Sequence, residues 1–409
     1  MQRVEGAGTA GAGSAMPAPG AGLGLLRTKL THPRLPPGYV VRPNVDALLD
    51  AGTQATLTVV CAGAGWGKTL ATAAWVARGP KVGPVAWVSL DATDNQPRAF
   101  WSYVVEALRS AMPMPPGSPL AGLEPGLGND QERLRRVVAG LEQLPGPVVL
   151  VLDDFHLVDD ATVLADIAML LRAPAPQLRL VLLTRSDPVL PLHRLRVAGA
   201  LTEVRSRDLA LGRPEATRLL ANDGVELRAC DVEVLLERTE GWPAGLRLAA
   251  LFLARDEPGH HVADFGGDDQ AVVEYLAEEV LAAHPPEVRR FLLLTSVAER
   301  LCASLAEELT GQVGGQRVLE SLAAENTFVV GLGPGRKWYR YHTLLRQTLR
   351  HRLAVEAPNE VAGLHVRAAL WLAENGQPLA GLRHAAQAQD WQLMGELLVT
   401  RALPLSLSA

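Results

Sequence analysis

The sequence predicts a parallel α/β domain followed by an all-α helical domain, a winged-helix domain and the start of an α-helical repeat region. Three observations support this fold class. Short apolar runs alternate with helical stretches from residue 25 to 211, strand signals disappear after residue 212, and two strand-like runs return near residue 330. A chain of 409 residues is long enough for several domains of about 100–200 residues each.

The predicted boundaries follow these changes of pattern. We expect a disordered tail, the α/β domain with an amino-terminal arm, the helical domain, the winged-helix domain and the start of a TPR-like repeat region at residues 1–24, 25–211, 212–285, 286–355 and 356–409, respectively. The tail is uncharged from Gly6 onwards, and Met16 is an alternative start. Because the tail lacks a Leu-rich run, we predict neither a signal peptide nor a membrane span.

Composition excludes some classes of protein. The sequence has 39 Lys and Arg against 44 Asp and Glu, giving a formal charge of −5, so it lacks the basic excess typical of nucleic-acid binding. Its three cysteines, Cys61, Cys230 and Cys302, lie far apart without a C-x-x-C pair. This argues against a disulfide framework or a cysteine-rich zinc site and favours a cytoplasmic location.

Five strands are predicted in the α/β domain, and the central ones are nearly continuous apolar runs, as expected for a sheet covered on both faces. The predicted strands are Thr56–Cys61, Val85–Leu90, Val148–Leu152, Leu178–Leu183 and Leu201–Val204. A Pro- and Gly-rich stretch at Met112–Gly128 predicts a surface loop between helices.

Helical patterns dominate the second half of the chain, interrupted by two short strands. The predicted helices are Pro214–Ala221, Asp231–Thr239, Pro243–Ala254, Gln270–Leu281, Val288–Val297, Ser304–Thr310 and Arg317–Ala324, with a further helix from Thr343. The predicted strands are Phe328–Leu332 and Trp338–Tyr341. Three helices with such a hairpin predict a winged helix, and two or three more helices follow Val361 with a break at Asn375-Gly376.

The first strand leads into Ala62–Thr69 (AGAGWGKT) and then a helix, which is the context of a P-loop in a nucleoside triphosphatase (NTPase) domain. Three glycines let backbone N–H groups turn inward around phosphate oxygens. We expect Lys68 to reach the β- and γ-phosphates and Thr69 to bind Mg²⁺. The glycines are Gly63, Gly65 and Gly67, and Ala62 stands where the strict pattern has glycine.

Charged residues follow two further strands. Asp153 and Asp154 end the run Val148–Leu152, so we expect Asp153 to hold Mg²⁺ through water and Asp154 to polarise an attacking water. Arg185 follows the strand Leu178–Leu183 and would sense a γ-phosphate. A solvated arginine at a strand end is the alternative interpretation.

In this order the motifs resemble those of the MalT-like STAND ATPases, the large LuxR-type ATP-dependent transcriptional regulators. The resemblance runs from about Leu25 to Arg401. Besides the P-loop, it rests on Leu26–Leu30, Val40–Pro43, Trp87–Asp91, Asp94-Asn95, Leu152–His156, Leu183–Arg185, Gly241–Leu246 and Tyr341-His342.

This resemblance implies a switch that is closed around ADP and opened by ATP with Mg²⁺ and an inducer whose identity is unknown. It implies that Val41 and Arg42 contact the adenine, that Trp242 and Pro243 pack against the base, and that His342 reaches the β-phosphate. From position alone, Pro243 is an ordinary first-turn proline. His342 would likewise be a core or surface histidine.

The family also implies self-association in the ATP state, and further repeats and a helix-turn-helix beyond residue 409. We therefore expect a fragment, a truncated product or a stand-alone switch that does not bind DNA sequence-specifically by itself. We expect hydrolysis to be slow, because a switch depends on the difference in nucleotide affinity between two conformations rather than on turnover. Two alternatives remain at this point: a catalytically active ATPase motor, and an interaction scaffold that does not bind nucleotide.

Overall fold

The computed structural model describes residues 25–123, 130–172, 175–255, 261–333 and 335–402. Three parts of the sequence predictions lie outside the described residues. They are the predicted tail at 1–24, positions 124–128 of the predicted loop, and residues 403–409 of the repeat region.

In the described residues, five strands form one parallel sheet in the order β2-β3-β4-β1-β5. Since all strands run the same way, their carboxyl ends lie at one edge, where Cys61 pairs with Thr184 and Ser89 pairs with Asp153. The strands are β1 (Leu57–Cys61), β2 (Val85–Ser89), β3 (Val148–Asp153), β4 (Leu178–Thr184) and β5 (Leu201–Arg205).

Helices cover both faces of this sheet. Alternate residues of β1 therefore point into different cores, with Val59 on one face and Val60 on the other. The helices are α1 (Pro43–Gly52), α2 (Lys68–Arg78), α3 (Pro97–Ala111), α4 (Asp130–Glu142), α5 (Ala161–Arg172), α6 (Leu192–Val197) and α7 (Ser206–Leu209). Short 3₁₀ helices occupy Arg27–Leu30, Ala92–Asp94 and Phe155–Leu157.

Beyond residue 212 the described chain is mostly helical, with one antiparallel hairpin in which Val329 pairs with Tyr341 and a single β-bridge between Leu301 and Tyr339. The helices are α8 (Arg213–Asn222), α9 (Ala229–Thr239), α10 (Pro243–Leu253), α11 (Gln270–Leu276), α12 (Pro286–Thr295), α13 (Ala303–Thr310), α14 (Gly315–Ala324), α15 (Thr343–Glu356), α16 (Pro358–Glu374), α17 (Pro378–Gln387) and α18 (Trp391–Leu397). The strands are β6 (Val329–Leu332) and β7 (Trp338–Tyr341), and a 3₁₀ turn covers Val262–Asp264.

The structure corrects one predicted helix. Gln270–Leu281 is not one α-helix, because α11 ends at Leu276 and a π-helical turn covers Ala277–Leu281. The amide of Ala282 donates to the carbonyl of Ala277 at 2.8 Å, five residues back. Such a wider turn changes the direction of the side chains that follow it. A second π-helical turn, Leu398–Ala402, follows α18.

The helices are amphipathic elements of a packed interior. In α16, the longest in the described part of the chain at 17 residues, the buried Leu364, Ala368 and Leu372 recur at intervals of four. Across the described residues we find no helix with both the length and the apolar character needed to cross a membrane.

Trp242 connects three parts of the molecule at the start of α10. Its indole is fully buried, and its Nε1–H donates to the P-loop carbonyl of Ala64 at 3.1 Å. The ring packs edge-on against Tyr275 of α11 and against Phe328 beside β6, at centroid distances of 5.4 and 5.0 Å. The indole thus joins the α/β domain to both helical parts.

We expect Trp242→Ala to lower the free energy of unfolding by about 3–5 kcal/mol, because it opens a cavity and leaves a buried carbonyl without its donor. Urea denaturation followed by circular dichroism measures this. The matched control is Trp391→Ala, since Trp391 is 64% exposed and its loss should change stability by only about 0.5 kcal/mol. Equal shifts for the two variants would show that Trp242 does not connect the domains.

Candidate nucleotide-binding site

The P-loop lies between the end of β1 and the start of α2. Gly65 and Gly67 adopt φ values of 70° and 73°, a left-handed conformation that glycine adopts without steric cost. Lys68 is the first residue of α2. The loop therefore has the local conformation in which successive backbone N–H groups form an anion-binding concavity at a helix N-terminus.

Lys68 is held by carbonyl groups of its own loop. Its buried ammonium donates to the carbonyls of Ala62 at 2.8 Å and Gly63 at 3.0 Å. Burial, together with the neighbouring charge of Arg185, lowers the pKa of Lys68 to about 8. The ammonium is therefore under-compensated in charge, and an anion in the loop would stabilise it.

Thr69 and Asp153 meet at the carboxyl edge of the sheet. The Thr69 hydroxyl donates to Oδ1 of Asp153 at 2.9 Å. Burial, together with the adjacent Asp154 carboxylate, raises the pKa of Asp153 to about 6. The structure thus brings together the two oxygen donors that the sequence assigns to Mg²⁺, 84 positions apart in the chain.

These residues fit a magnesium nucleotide. The described residues contain no group of three or more His, Cys, Asp or Glu side chains able to hold a metal ion. A hydroxyl and a carboxylate are hard oxygen donors, and Mg²⁺ commonly takes its remaining ligands from water and substrate phosphates. The observed pair matches that division of ligands.

Asp154 lies beside Asp153 but has a different environment. Its backbone is left-handed, with φ of 55°, and its side chain is 45% exposed, so it is reachable by water. The ring of His156 lies 3.9 Å away from its carboxylate. Burial lowers the pKa of His156 to about 4 against the opposing effect of Asp154, so His156 is neutral at pH 7. Sequence reasoning quoted His156 within a motif but assigned it no role.

A cavity of about 350 Å³ opens on one side of the P-loop. Three parts of the chain line it: the arm before α1, the loop with α2, and the helical domain. The lining residues are Pro36, Pro37, Gly38, Tyr39, Val40, Arg42, Gly65, Gly67, Leu70, Leu211, Leu219, Pro243, Ala244 and Arg247. Its lining is mostly apolar and includes two arginines, Arg42 and Arg247, as expected of a pocket for a flat base joined to charged groups.

The predicted adenine contacts occupy different positions around this cavity. Pro243 lines it, and the buried Arg42 donates to the carbonyls of Leu209 at 2.6 Å and Gly67 at 3.1 Å, fixing the arm to the P-loop. The Val41 side chain is 55% exposed. Tyr39 and Val40 also line the cavity; sequence reasoning quoted Val40 within a motif without giving it a role and did not mention Tyr39.

Arg185 faces the carboxyl edge but is paired with another segment. Its Nη1 donates to Oε2 of Glu279 at 2.8 Å, and its backbone carbonyl accepts from the side chain of Asn326 at 2.9 Å. These groups line a second cavity of about 230 Å³, which also contacts Gly63 and His156. Glu279 and Asn326 were missed by sequence reasoning, since neither belongs to a local motif.

His342 is buried against the aromatic cluster of Trp242 and Phe328. Its Nε2–H donates to the carbonyl of Thr239 at 2.9 Å, and its Nδ1 accepts from the amide of Leu344 at 3.3 Å. Its ring lies 6.0 Å from that of Trp242. To contact a phosphate, the His342 ring would have to break one of these hydrogen bonds. Its contact with the β-phosphate stays a prediction.

Two P-loop glycines are also required by close approach of other segments. A Cβ on Gly63 would lie 2.5 Å from the carbonyl oxygen of Asn326, and a Cβ on Gly65 would lie 2.7 Å from both Ala244 and the Tyr275 hydroxyl. The P-loop is therefore enclosed by the helical domain on one side and by the segment leading into β6 on the other.

Comparison with known proteins identifies the relatives of this chain. Residues 277–361 match the MalT winged helix domain. The chain is 30% identical over 382 residues to the HTH-type transcriptional regulator MalT of Vibrio cholerae, which covers 91% of this chain and 42% of that protein. The predicted resemblance to MalT-like proteins is confirmed.

The chain is also similar to part of a protein kinase. The chain is 33% identical over 366 residues to the serine/threonine-protein kinase PknK of Mycobacterium tuberculosis, covering 88% of this chain and 33% of that protein. The chain thus spans between a third and a half of the length of these relatives.

A solved structure has the same fold as much of this chain. The Walker-type ATPase PABY2304 of Pyrococcus abyssi aligns with a TM-score of 0.53 at 14% identity, covering 76% of this chain and 96% of that one. The predicted fold class, an α/β P-loop NTPase domain followed by helical and winged-helix domains, is confirmed.

We expect Gly63→Ala to loosen the enclosure of the P-loop. Gly63 has no left-handed φ, so alanine fits the loop itself, but its methyl group would collide with Asn326 unless that segment moves. Small-angle X-ray scattering should show a larger radius of gyration, and limited proteolysis should be faster. The control is Gly146→Ala, where a Cβ meets nothing within 4 Å. Scattering and cleavage matching the wild type would show that this contact does not hold the domains together.

Proposed function

We propose that this chain is the nucleotide-binding switch module of a MalT-like transcriptional regulator and takes ATP or ADP with Mg²⁺. The observation that carries the proposal is the contact between the Thr69 hydroxyl and the Asp153 carboxylate at 2.9 Å, beside a P-loop whose lysine donates to the carbonyls of Ala62 and Gly63. A cytoplasmic location is part of the same proposal.

Each part of the site would bind a different part of the nucleotide. The P-loop amides and Lys68 would hold the phosphates, with the ammonium exchanging carbonyl partners for phosphate oxygens. The base would lie in the 350 Å³ cavity between Tyr39 and Pro243. Bound Mg²⁺ would neutralise phosphate charge, and Thr69 and Asp153 would orient it.

A switch role fits the way the site is assembled. Its surfaces come from the α/β domain, the helical domain and the segment before β6, so a ligand that prefers one arrangement of these parts shifts the balance between arrangements. We propose that ADP favours the closed arrangement and that ATP with an inducer of unknown identity favours an open one that self-associates. In the closed state His342 would turn towards the β-phosphate.

The two relatives support a regulatory module over an output domain. The matching region covers about a third of a protein named as a kinase and about two fifths of one named as an HTH-type regulator. A region shared by proteins with different named outputs is best explained as the module common to both. We accordingly propose that DNA binding, where it occurs, belongs to other parts of such proteins.

Lys68→Ala should reduce the affinity for ATP and ADP by about 100-fold, because it removes a charge-assisted contact to the phosphates. Isothermal titration calorimetry with each nucleotide measures the change. Lys81→Ala is the control, since Lys81 is an exposed lysine remote from the loop motif. Equal affinities for wild type and the Lys68 variant would contradict the proposal, and a wild type that binds neither nucleotide would favour a scaffold.

The two adjacent carboxylates should have separable roles. Asp153→Asn should weaken binding that depends on Mg²⁺, whereas Asp154→Asn should leave binding intact and slow hydrolysis by about 10- to 100-fold, because Asp154 acts on water. Binding is measured with and without Mg²⁺, and phosphate release gives the turnover. Equal binding and equal turnover of the two variants would show that the two carboxylates do not have separate roles. A wild-type turnover of many cycles per second would favour the motor.

A further inference from the structure

The guanidinium of Arg185 is neutralised by a residue outside the α/β domain. Glu279 accepts its hydrogen bond at 2.8 Å, with 39% of the arginine side chain and 36% of the glutamate side chain exposed. Glu279 lies on the π-helical turn Ala277–Leu281 between α11 and α12. The ion pair therefore joins the end of β4 to a segment outside the α/β domain.

Arg185 is electrostatically part of the phosphate site. It borders the 230 Å³ cavity together with Gly63 of the P-loop and His156, and its charge contributes to the lowered pKa of Lys68. Two cationic side chains, those of Arg185 and Lys68, thus lie at the carboxyl edge of the sheet. Glu279 supplies the negative charge that a further phosphate group would otherwise supply.

The position of Glu279 depends on the π-helical turn. A regular α-helix advances by 100° per residue, so one additional residue in a turn rotates the following side chains by about that angle. Tyr275 belongs to the same assembly, because burial and the Glu279 carboxylate raise the pKa of its hydroxyl while Arg185 opposes the shift. The local helix geometry thus positions the carboxylate against the arginine.

We propose that Glu279 is a specificity-determining residue that makes the site discriminate against nucleoside triphosphates by occupying Arg185. This inference rests on the proposed nucleotide function. A diphosphate leaves the Arg185–Glu279 pair intact. A triphosphate brings anionic oxygens into competition with the carboxylate, and its binding separates the π-helical turn from the end of β4.

The ion pair is exposed enough that its contribution is modest. Half-exposed pairs contribute about 0–1 kcal/mol, equivalent to at most about a fivefold change in an equilibrium constant. A purely structural surface pair would affect the affinities for ADP and for a triphosphate equally. The ratio of the two affinities therefore distinguishes a role of Glu279 in nucleotide specificity from a role in protein stability alone.

The test compares the dissociation constants for ADP and for a non-hydrolysable ATP analogue, both with Mg²⁺. E279Q should raise the affinity for the analogue relative to ADP by about two- to fivefold and leave the ADP affinity unchanged, which also shows that the variant is folded. E278Q is the matched control, because Glu278 is the exposed neighbour with the same charge. It should leave the ratio at the wild-type value.

The double variant tests whether Glu279 acts through Arg185. In the R185Q background, E279Q should change the ratio no further, since the arginine it occupies is gone. A ratio unchanged by E279Q, or an effect that persists in R185Q, would overturn the inference while the proposed function stands. Failure of the wild type to bind either nucleotide would overturn the proposed function itself, and with it this inference.

Discussion

The hydrogen bond from the Trp242 indole to the Ala64 carbonyl is the interaction on which the arrangement of domains depends. It fixes the first turn of α10 against the backbone of the phosphate loop, and the indole is fully buried among Tyr275 and Phe328. A buried carbonyl without this donor would carry an uncompensated desolvation cost. The loop that binds phosphate is consequently also the surface on which the helical parts of the molecule assemble.

The phosphate loop thus has two roles, binding phosphate and contacting the helical parts, and the charged residues around it serve both. Lys68 and Arg185 lie at the same edge of the sheet. Lys68 donates hydrogen bonds to neutral loop carbonyls, whereas Arg185 pairs with the carboxylate of Glu279. Further from the loop, Arg340 forms a bidentate pair with Glu240, at 2.7 Å for each bond. Ion pairs between segments respond to added anions more readily than the apolar contacts around Trp242 do.

Much of the fold was predictable because it depends on local patterns. The five strands of the sheet begin and end within a residue of their predicted positions, since buried parallel strands are continuous apolar runs between turn signals. The meeting of Thr69 with Asp153 was also predictable, because parallel strands place their carboxyl ends at one edge.

The remaining features depend on contacts between segments distant in sequence. No local pattern indicates that Asn326 approaches Gly63, or that Glu279 pairs with Arg185. The π-helical turn after Leu276 has the same apolar spacing as an ordinary helix, so periodicity did not reveal it. The arm does line the cavity, through residues that include Tyr39, Val40 and Arg42, but no local pattern indicates which of its side chains face it.

The strand order has a consequence for how the chain folds. The strand that carries the phosphate loop, β1, pairs with β4 and β5, so that Leu57 lies beside Leu180 and Leu201. During synthesis β1 therefore remains without its neighbours until β4, which ends at Thr184, and β5, which ends at Arg205, have emerged. Sheets built from such distant pairings fold slowly and expose strand edges in the meantime. Nascent chains of this protein would be most prone to aggregation in that interval, before the strand carrying the loop is enclosed.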